Sequence, residues 1–223
     1  IETDPEKKQT EQMMHRNAER LLRMINQILE LRKVEDGKMK PKVQSLELVS
    51  FISSVLGEFS EIAERKGISL TYTWQPDEIT VWYDPDLLDK CLYNMLSNSF
   101  KFTAEGGKIE VDIQQDENNF IFLRISDTGI GMSPEVAEHI FERFYQGRKS
   151  STTGTGVGLH LTQSIIELHG GDITVQSEEG EGSTFCITIL PGNQHFSADE
   201  IQELPYQPNA PVVRDEEIEE HSP

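Results

Sequence analysis

Residues 94–103 read Asn94-Met95-Leu96-Ser97-Asn98-Ser99-Phe100-Lys101-Phe102-Thr103. With Leu88 and Leu92 upstream, the apolar residues recur every three or four positions, which predicts a helix from Asp84-Pro85 to about residue 102. Leu88, Leu92, Met95 and Leu96 form its inward stripe. Asn94, Asn98 and Lys101, spaced four and three apart, share a different face. The Asn98 carbonyl oxygen is a ligand type suited to Mg²⁺ alongside phosphates and waters. Lys101 offers a compact charge to a phosphate. Taken alone, the same three residues also describe the solvated face of an ordinary amphipathic helix.

Three glycine-bearing stretches follow in order: Asp127-Thr128-Gly129-Ile130-Gly131, Gly154-Thr155-Gly156-Val157-Gly158-Leu159 and Gly180-Glu181-Gly182-Ser183-Thr184. None has the Lys-Ser/Thr ending of a P-loop or the spacing of a dinucleotide-binding turn. The middle stretch runs directly into an apolar helix, predicted over about 157–169. Backbone N–H groups at a helix start attract anions, and glycine lets a phosphate approach them. Asp127 ends an apolar strand, where its carboxylate can accept from an amino group or cap a turn.

Around this centre the pattern alternates. Strands are predicted at 68–74, 79–83, 108–115, 120–127, 172–178 and 184–190, with an extended stretch at 41–47. A helix is predicted at 48–66, ended by Gly67, and a short one after Ser133-Pro134. Residues 145–156 are polar and glycine-rich and are read as a mobile loop. Residues 5 to about 36 form one long helix in which Met14, Ala18, Leu21, Ile25 and Ile28 repeat in heptad fashion, widened by Leu22 and Leu29. Such a seam needs partner helices. From residue 192 the chain turns acidic and proline-bearing, an expected linker or disordered tail without its own core.

Composition narrows the function classes. The chain has 223 residues and a formal net charge of −19, which disfavours nucleic acid and anionic membrane surfaces as partners. No apolar run reaches the roughly 20 residues of a membrane span. Cys91 and Cys186 lie in apolar contexts and are read as reduced thiols.

Together the stretches resemble the catalytic domain of two-component sensor histidine kinases, of the superfamily that also holds the DNA gyrase B subunit, MutL proteins and heat-shock chaperones. Residues 94–103 resemble that family's N box, 127–132 its G1 box, and Phe141-Glu142-Arg143-Phe144-Tyr145 its F box. Residues 154–159 resemble its G2 box, and 180–185 its last glycine turn. The resemblance implies a two-layer α/β sandwich of the Bergerat type over 41–191, with a mixed sheet against three helices. Residues 1–38 are then the second helix of a dimerisation hairpin, and 192–223 a linker, which in a hybrid kinase leads to a receiver domain.

It further implies ATP and Mg²⁺ as cofactors. Asn98 would hold the metal with Asn94 beside it, Lys101 would meet the phosphates, and Phe102 would line the pocket. Asp127 would bind the adenine amino group, with Gly129 and Gly131 letting the backbone pass close to the base. Thr155, Gly156, Gly158, Leu159 and Thr184 would complete the pocket, Arg143 would reach toward the γ-phosphate, and Arg148 and Lys149 would sit on the lid. The implied partners are the protein's own phosphotransfer helix, a response-regulator receiver domain and a second copy of the chain. The implied setting is the cytoplasmic portion of an inner-membrane bacterial sensor.

Two departures matter. The family's phosphoacceptor histidine belongs to the first hairpin helix, and no early histidine here stands in that motif. His15 is followed by Arg16-Asn17, outside it; His160 and His169 are read as packing and capping residues, and His139, His195 and His221 stand in no motif. The related ATP hydrolases carry a glutamate at the position of Asn94, and an asparagine cannot take a proton from water. A nucleotide-binding module without catalysis is the third reading.

Overall fold

The computed structural model describes residues 5–146 and 155–202. Helix α1 spans Pro5–Glu35 and leads to strand β1 (Gln44–Glu47) and helix α2 (Leu48–Lys66). Strands β2 (Ser69–Gln75) and β3 (Thr80–Tyr83) precede helix α3 (Pro85–Phe102), and strands β4 (Lys108–Gln115) and β5 (Ile121–Asp127) follow it. Helices α4 (Pro134–His139) and α5 (Gly158–Leu168) come next, and the hairpin β6 (Asp172–Glu178) and β7 (Gly182–Ile189) closes the order.

The main sheet runs β2-β4-β5-β7-β6. Its β2–β4 pair is parallel and the other pairs are antiparallel, so it is mixed, as expected. A parallel neighbour requires a crossover, and the connection that carries α3 supplies it. Alternation places Ile109, Val111 and Ile113 of β4 and Ile121, Leu123 and Ile125 of β5 in the core. Helices α2, α3 and α5 cover that face with Leu56, Phe59, Leu92, Met95, Leu96, Ile165 and Ile166. Phe59 stacks on Phe100 with centroids 5.5 Å apart, which locks α2 to α3.

The extended stretch after α1 lies outside the main sheet. β1 pairs antiparallel with β3 as a separate two-stranded sheet. Glu47 fixes that corner, because its carboxylate accepts from Val49 and Ser50 at the start of α2 and from the Ile79 amide. An acidic group at a helix start suits the exposed N–H groups and the dipole there.

The long helix divides into two parts. Met14, Leu21, Leu22, Ile25 and Leu29 are all more than half exposed. Leu31 is fully buried, and Ile28, Val34 and Met39 pack against the core. The last seam residue, Ile28, is thus covered from within this chain, and the rest of the seam still needs partner helices. Residues 192–202 also depart from the expected tail, since Phe196 is buried and Ile201 bridges Val43. Among the described residues, no helix is long and apolar enough to cross a membrane.

Candidate functional site

Helices α3 and α5 pack side by side and antiparallel, and their contact places most of the predicted residues. Asn94 is half-buried and its Nδ2 donates to Thr162 Oγ1 at 2.9 Å. A Cβ on Gly158 would stand 2.3 Å from Asn94 Oδ1, so any larger residue there would displace this side chain. One turn further along α3, Asn98 is half-buried and its side chain makes no hydrogen bond among the described residues. Lys101 follows on the same face, with Nζ 5.1 Å from the Phe102 ring centroid.

Asp127 stands at the end of β5, next to the C-terminal half of α3. Its Oδ2 accepts from Ser99 Oγ at 3.3 Å and its Oδ1 from the Gly129 amide at 2.9 Å. Burial holds its carboxyl above the ordinary carboxylate range despite these donors. A desolvated acceptor of this kind favours a ligand that brings a further N–H donor.

The glycines of the first stretch face protein backbone. A Cβ at Gly129 would lie 2.6 Å from the Phe102 carbonyl oxygen, and one at Gly131 would lie 1.8 Å from that of Glu178. They join the end of α3, the loop after β5 and the β6–β7 turn at close quarters. Thr184 donates to Ser126 Oγ at 2.9 Å across the β5–β7 ladder, one residue before Asp127.

The loop of the second stretch is closed at its base, where the Phe144 amide donates to the Gly156 carbonyl at 2.7 Å. Phe144 has φ 63 to make that turn. Residues 147–154, with Arg148, Lys149 and Gly154, lie outside the described residues. Thr155 Oγ1 accepts from the Val157 amide at 3.3 Å and donates to Gln27 Oε1 at 2.9 Å, and Leu159 packs against the core. Arg143 lies over the Phe144 ring at 4.9 Å and donates to the Glu35 carboxylate at 3.2 Å. Both stems of this loop are therefore held by side chains of α1.

Residues 83–193 match the family described as the histidine kinase-, DNA gyrase B- and HSP90-like ATPase. The chain belongs to this family. Its domain is the ATP-binding catalytic domain found in sensor histidine kinases. It is 32% identical over 195 residues to Histidine kinase P4 of Formosa agariphila, covering 85% of this chain and 14% of that protein. The curated relatives are thus much longer than this chain. The fold is also that of full-length ShkA in complex with AMPPNP, with a TM-score of 0.73 and 23% identity over 85% of this chain and 40% of that one. It is equally that of the histidine kinase ThkA in complex with the response regulator TrrA, with a TM-score of 0.68 and 22% identity over 83% and 52% of the two chains.

Sequence reasoning brings Asn94, Asn98, Lys101, Asp127 and the start of α5 into one region. It leaves out Gln27, Glu35, Ser99 and Thr162. Ser99 and Thr162 carried a usable signal, because each is a polar residue within the inward half of a helix. Gln27 and Glu35 carried none, since polar residues on a long helix are ordinary.

Proposed function

We propose that this chain is the catalytic portion of a sensor histidine kinase, passing the γ-phosphoryl group of ATP to a histidine on a companion helix for relay to a response-regulator aspartate. The observation that carries this reading is Asn98, half-buried and without a protein partner among the described residues, one turn beyond the contact of Asn94 with the start of α5. Its side-chain amide is uncommitted to the fold and shares a face of α3 with Lys101. An amide left open beside a helix N-terminus and a lysine fits a metal–phosphate group.

Bound ATP with Mg²⁺ supplies the transferable phosphoryl group. In our assignment Asn98 holds the metal and Asn94 fixes the spacing of α3 and α5. Lys101 meets the phosphates, Phe102 lines the pocket, and Asp127 accepts from the adenine amino group. The glycines at 129 and 131 shape the loop beneath the base, with Thr184 beside Asp127. Thr155, Gly156, Gly158 and Leu159 present the α5 start to the phosphates. Arg143, once released from Glu35, turns toward the γ-phosphate.

Phosphoryl transfer of this kind depends on position and charge neutralisation. The Asn94 amide donates to Thr162 and has no basic lone pair with which to activate water, so the reading favours transfer to an imidazole over hydrolysis. In the whole protein we place this portion on the cytoplasmic side of an inner-membrane sensor. It dimerises through the exposed seam of α1, and its acidic segment leads to a receiver domain.

Calorimetric titration with a non-hydrolysable ATP analogue, with and without Mg²⁺, tests the site. Binding that Mg²⁺ alters supports it. Absence of binding under both conditions would return the chain to the class of structural modules.

A further inference from the structure

Residues 193–202 have more structure than an acidic tail requires. Phe196 is buried, edge-on to His169 with centroids 6.2 Å apart. Two successive turns follow the end of β7: the Phe196 amide donates to the Asn193 carbonyl at 3.1 Å, and the Glu200 amide to the Ser197 carbonyl at 3.0 Å. Ser197 donates from its amide to the Glu200 carboxylate and from Oγ to those of Asp199 and Glu200, which tightens the second turn. The segment then runs parallel to Val43. The Val43 amide donates to the Glu200 carbonyl and the Gln202 amide to the Val43 carbonyl, both at 2.8 Å.

Val43 ends the hinge between α1 and the catalytic domain. α1 closes at Gly37 with left-handed φ 64, and residues 38–43 carry the chain across. Lys40 pairs with Asp199. The Lys42 amide donates to Asp84 Oδ2 at 2.7 Å. Of these polar anchors of the hinge, those at Lys40 and Val43 belong to the C-terminal segment. The third is Asp84, whose own amide donates to His169 Nε2, the ring on which Phe196 sits.

We infer that residues 193–202 are a clasp on this hinge, seated by Phe196 on His169 and bridged to Val43, which holds α1 in the pose where Glu35 reaches Arg143 and Gln27 reaches Thr155. The C-terminal segment is then a control point for the first helix, acting about the hinge without touching the α3 face. The consequence at Arg143 and Thr155 rests on the proposed nucleotide site; the clasp itself rests on the hinge contacts alone.

Limited trypsin digestion of the full chain reads the hinge directly, since Lys38 and Lys42 provide cleavage points within it. Phe196→Ala removes the seat, and Gln202→Pro removes one backbone donor together with the side-chain acceptor of Gln44 Nε2. Each variant is expected to be cut in the hinge at least about fivefold faster than the parent, at a temperature well below unfolding. Should Phe196→Ala unfold the domain, Gln202→Pro decides alone. Hinge cleavage unchanged in Gln202→Pro overturns the clasp. Titration of the same proteins with the ATP analogue separates the two readings. Faster cleavage in a chain that binds no analogue supports the clasp and sinks the proposed function. Normal binding with unchanged cleavage does the reverse.

Discussion

Helices α3 and α5 meet along one antiparallel contact, and its two ends are built on opposite terms. At the hinge end, Asp84 and His169 are both completed by protein partners. Asp84 caps α3 by accepting from the Leu87 amide at 3.1 Å and accepts from Lys42 as well. His169 donates from Nδ1 to the Ile165 carbonyl at 2.8 Å and accepts at Nε2 from the Asp84 amide at 3.0 Å, which fixes its neutral tautomer. At the other end, Asn98 has no partner among the described residues and burial raises the Asp127 carboxyl. The satisfied end holds the helices in register. The other end leaves the Asn98 amide and the desolvated Asp127 carboxyl for something else. Asp84 and His169 thus act as scaffold, completed by the protein, while Asn98 is left for a ligand.

The largest effect expected from this contrast is at the hinge end. Asp84→Ala removes a helix cap and leaves the Lys42 amide unpaired, so unfolding free energy should fall by about 2–3 kcal/mol in a urea titration. A loss under about 0.5 kcal/mol would mean that water completes these groups and that the two ends do not differ as argued.

The site end should respond the other way. Asn98→Ala breaks no protein hydrogen bond, and Asp127→Asn exchanges a desolvated carboxylate for a neutral amide. Both should leave stability within about 1 kcal/mol of the parent. Both should weaken binding of the ATP analogue about tenfold or more, near 1.4 kcal/mol, and Asn98→Ala should also lose the Mg²⁺ dependence. Variants that lose stability and retain affinity would make Asn98 and Asp127 scaffold residues after all.

Much of this contrast was legible in the sequence, and the part that was not has a physical cause. The end of α2 and the start of α3 follow from Gly67 and Asp84-Pro85, where capping chemistry and periodicity agree. The position of Asn94 against Gly158 does not follow. A glycine required by a side chain 64 residues away resembles any other glycine until the helices are packed. The same holds for the close fit of Gly129 and Gly131 against the Phe102 and Glu178 carbonyls. The clasp was hidden by composition, because Phe196 and Ile201 are sparse apolar residues in an acidic stretch and their partners His169 and Val43 are far away in sequence.

A smaller effect concerns proton binding at the hinge end. Burial depresses the His169 pKa below 6.5, with Asp84 and Glu200 opposing the shift and His195 adding to it. Below pH 6.5 the unfolded chain takes up a proton that the folded chain refuses. The contribution is therefore present above that pH and is lost as pH falls toward the depressed folded value, with a slope of up to about 1.4 kcal/mol per pH unit. Asp127 works in the opposite sense at lower pH. Its raised pKa gives stability present below the unfolded value of 3.8 and lost as pH rises through the folded one. Urea titrations between pH 7.5 and 5.5 should show the first slope in the parent and a weaker one in His169→Gln. Equal slopes would assign the pH dependence to other groups.

The smallest effect joins the site to α1. Glu35 and Arg143 are both exposed, and their contact at 3.2 Å is a surface ion pair. Such pairs contribute about 0.2–1 kcal/mol and weaken with salt, so Glu35→Gln should barely move the unfolding midpoint. If Arg143 serves a phosphate, it must leave Glu35 to do so, and the pair opposes binding by its own small strength. Glu35→Gln should then bind the ATP analogue up to about threefold more tightly at low salt, with the gain vanishing as ionic strength rises. A gain that persisted at high salt would point to a rearranged α1 instead of a broken ion pair. Weaker binding would mean that Glu35 aims Arg143 toward the nucleotide, and α1 would then complete the site instead of competing for it.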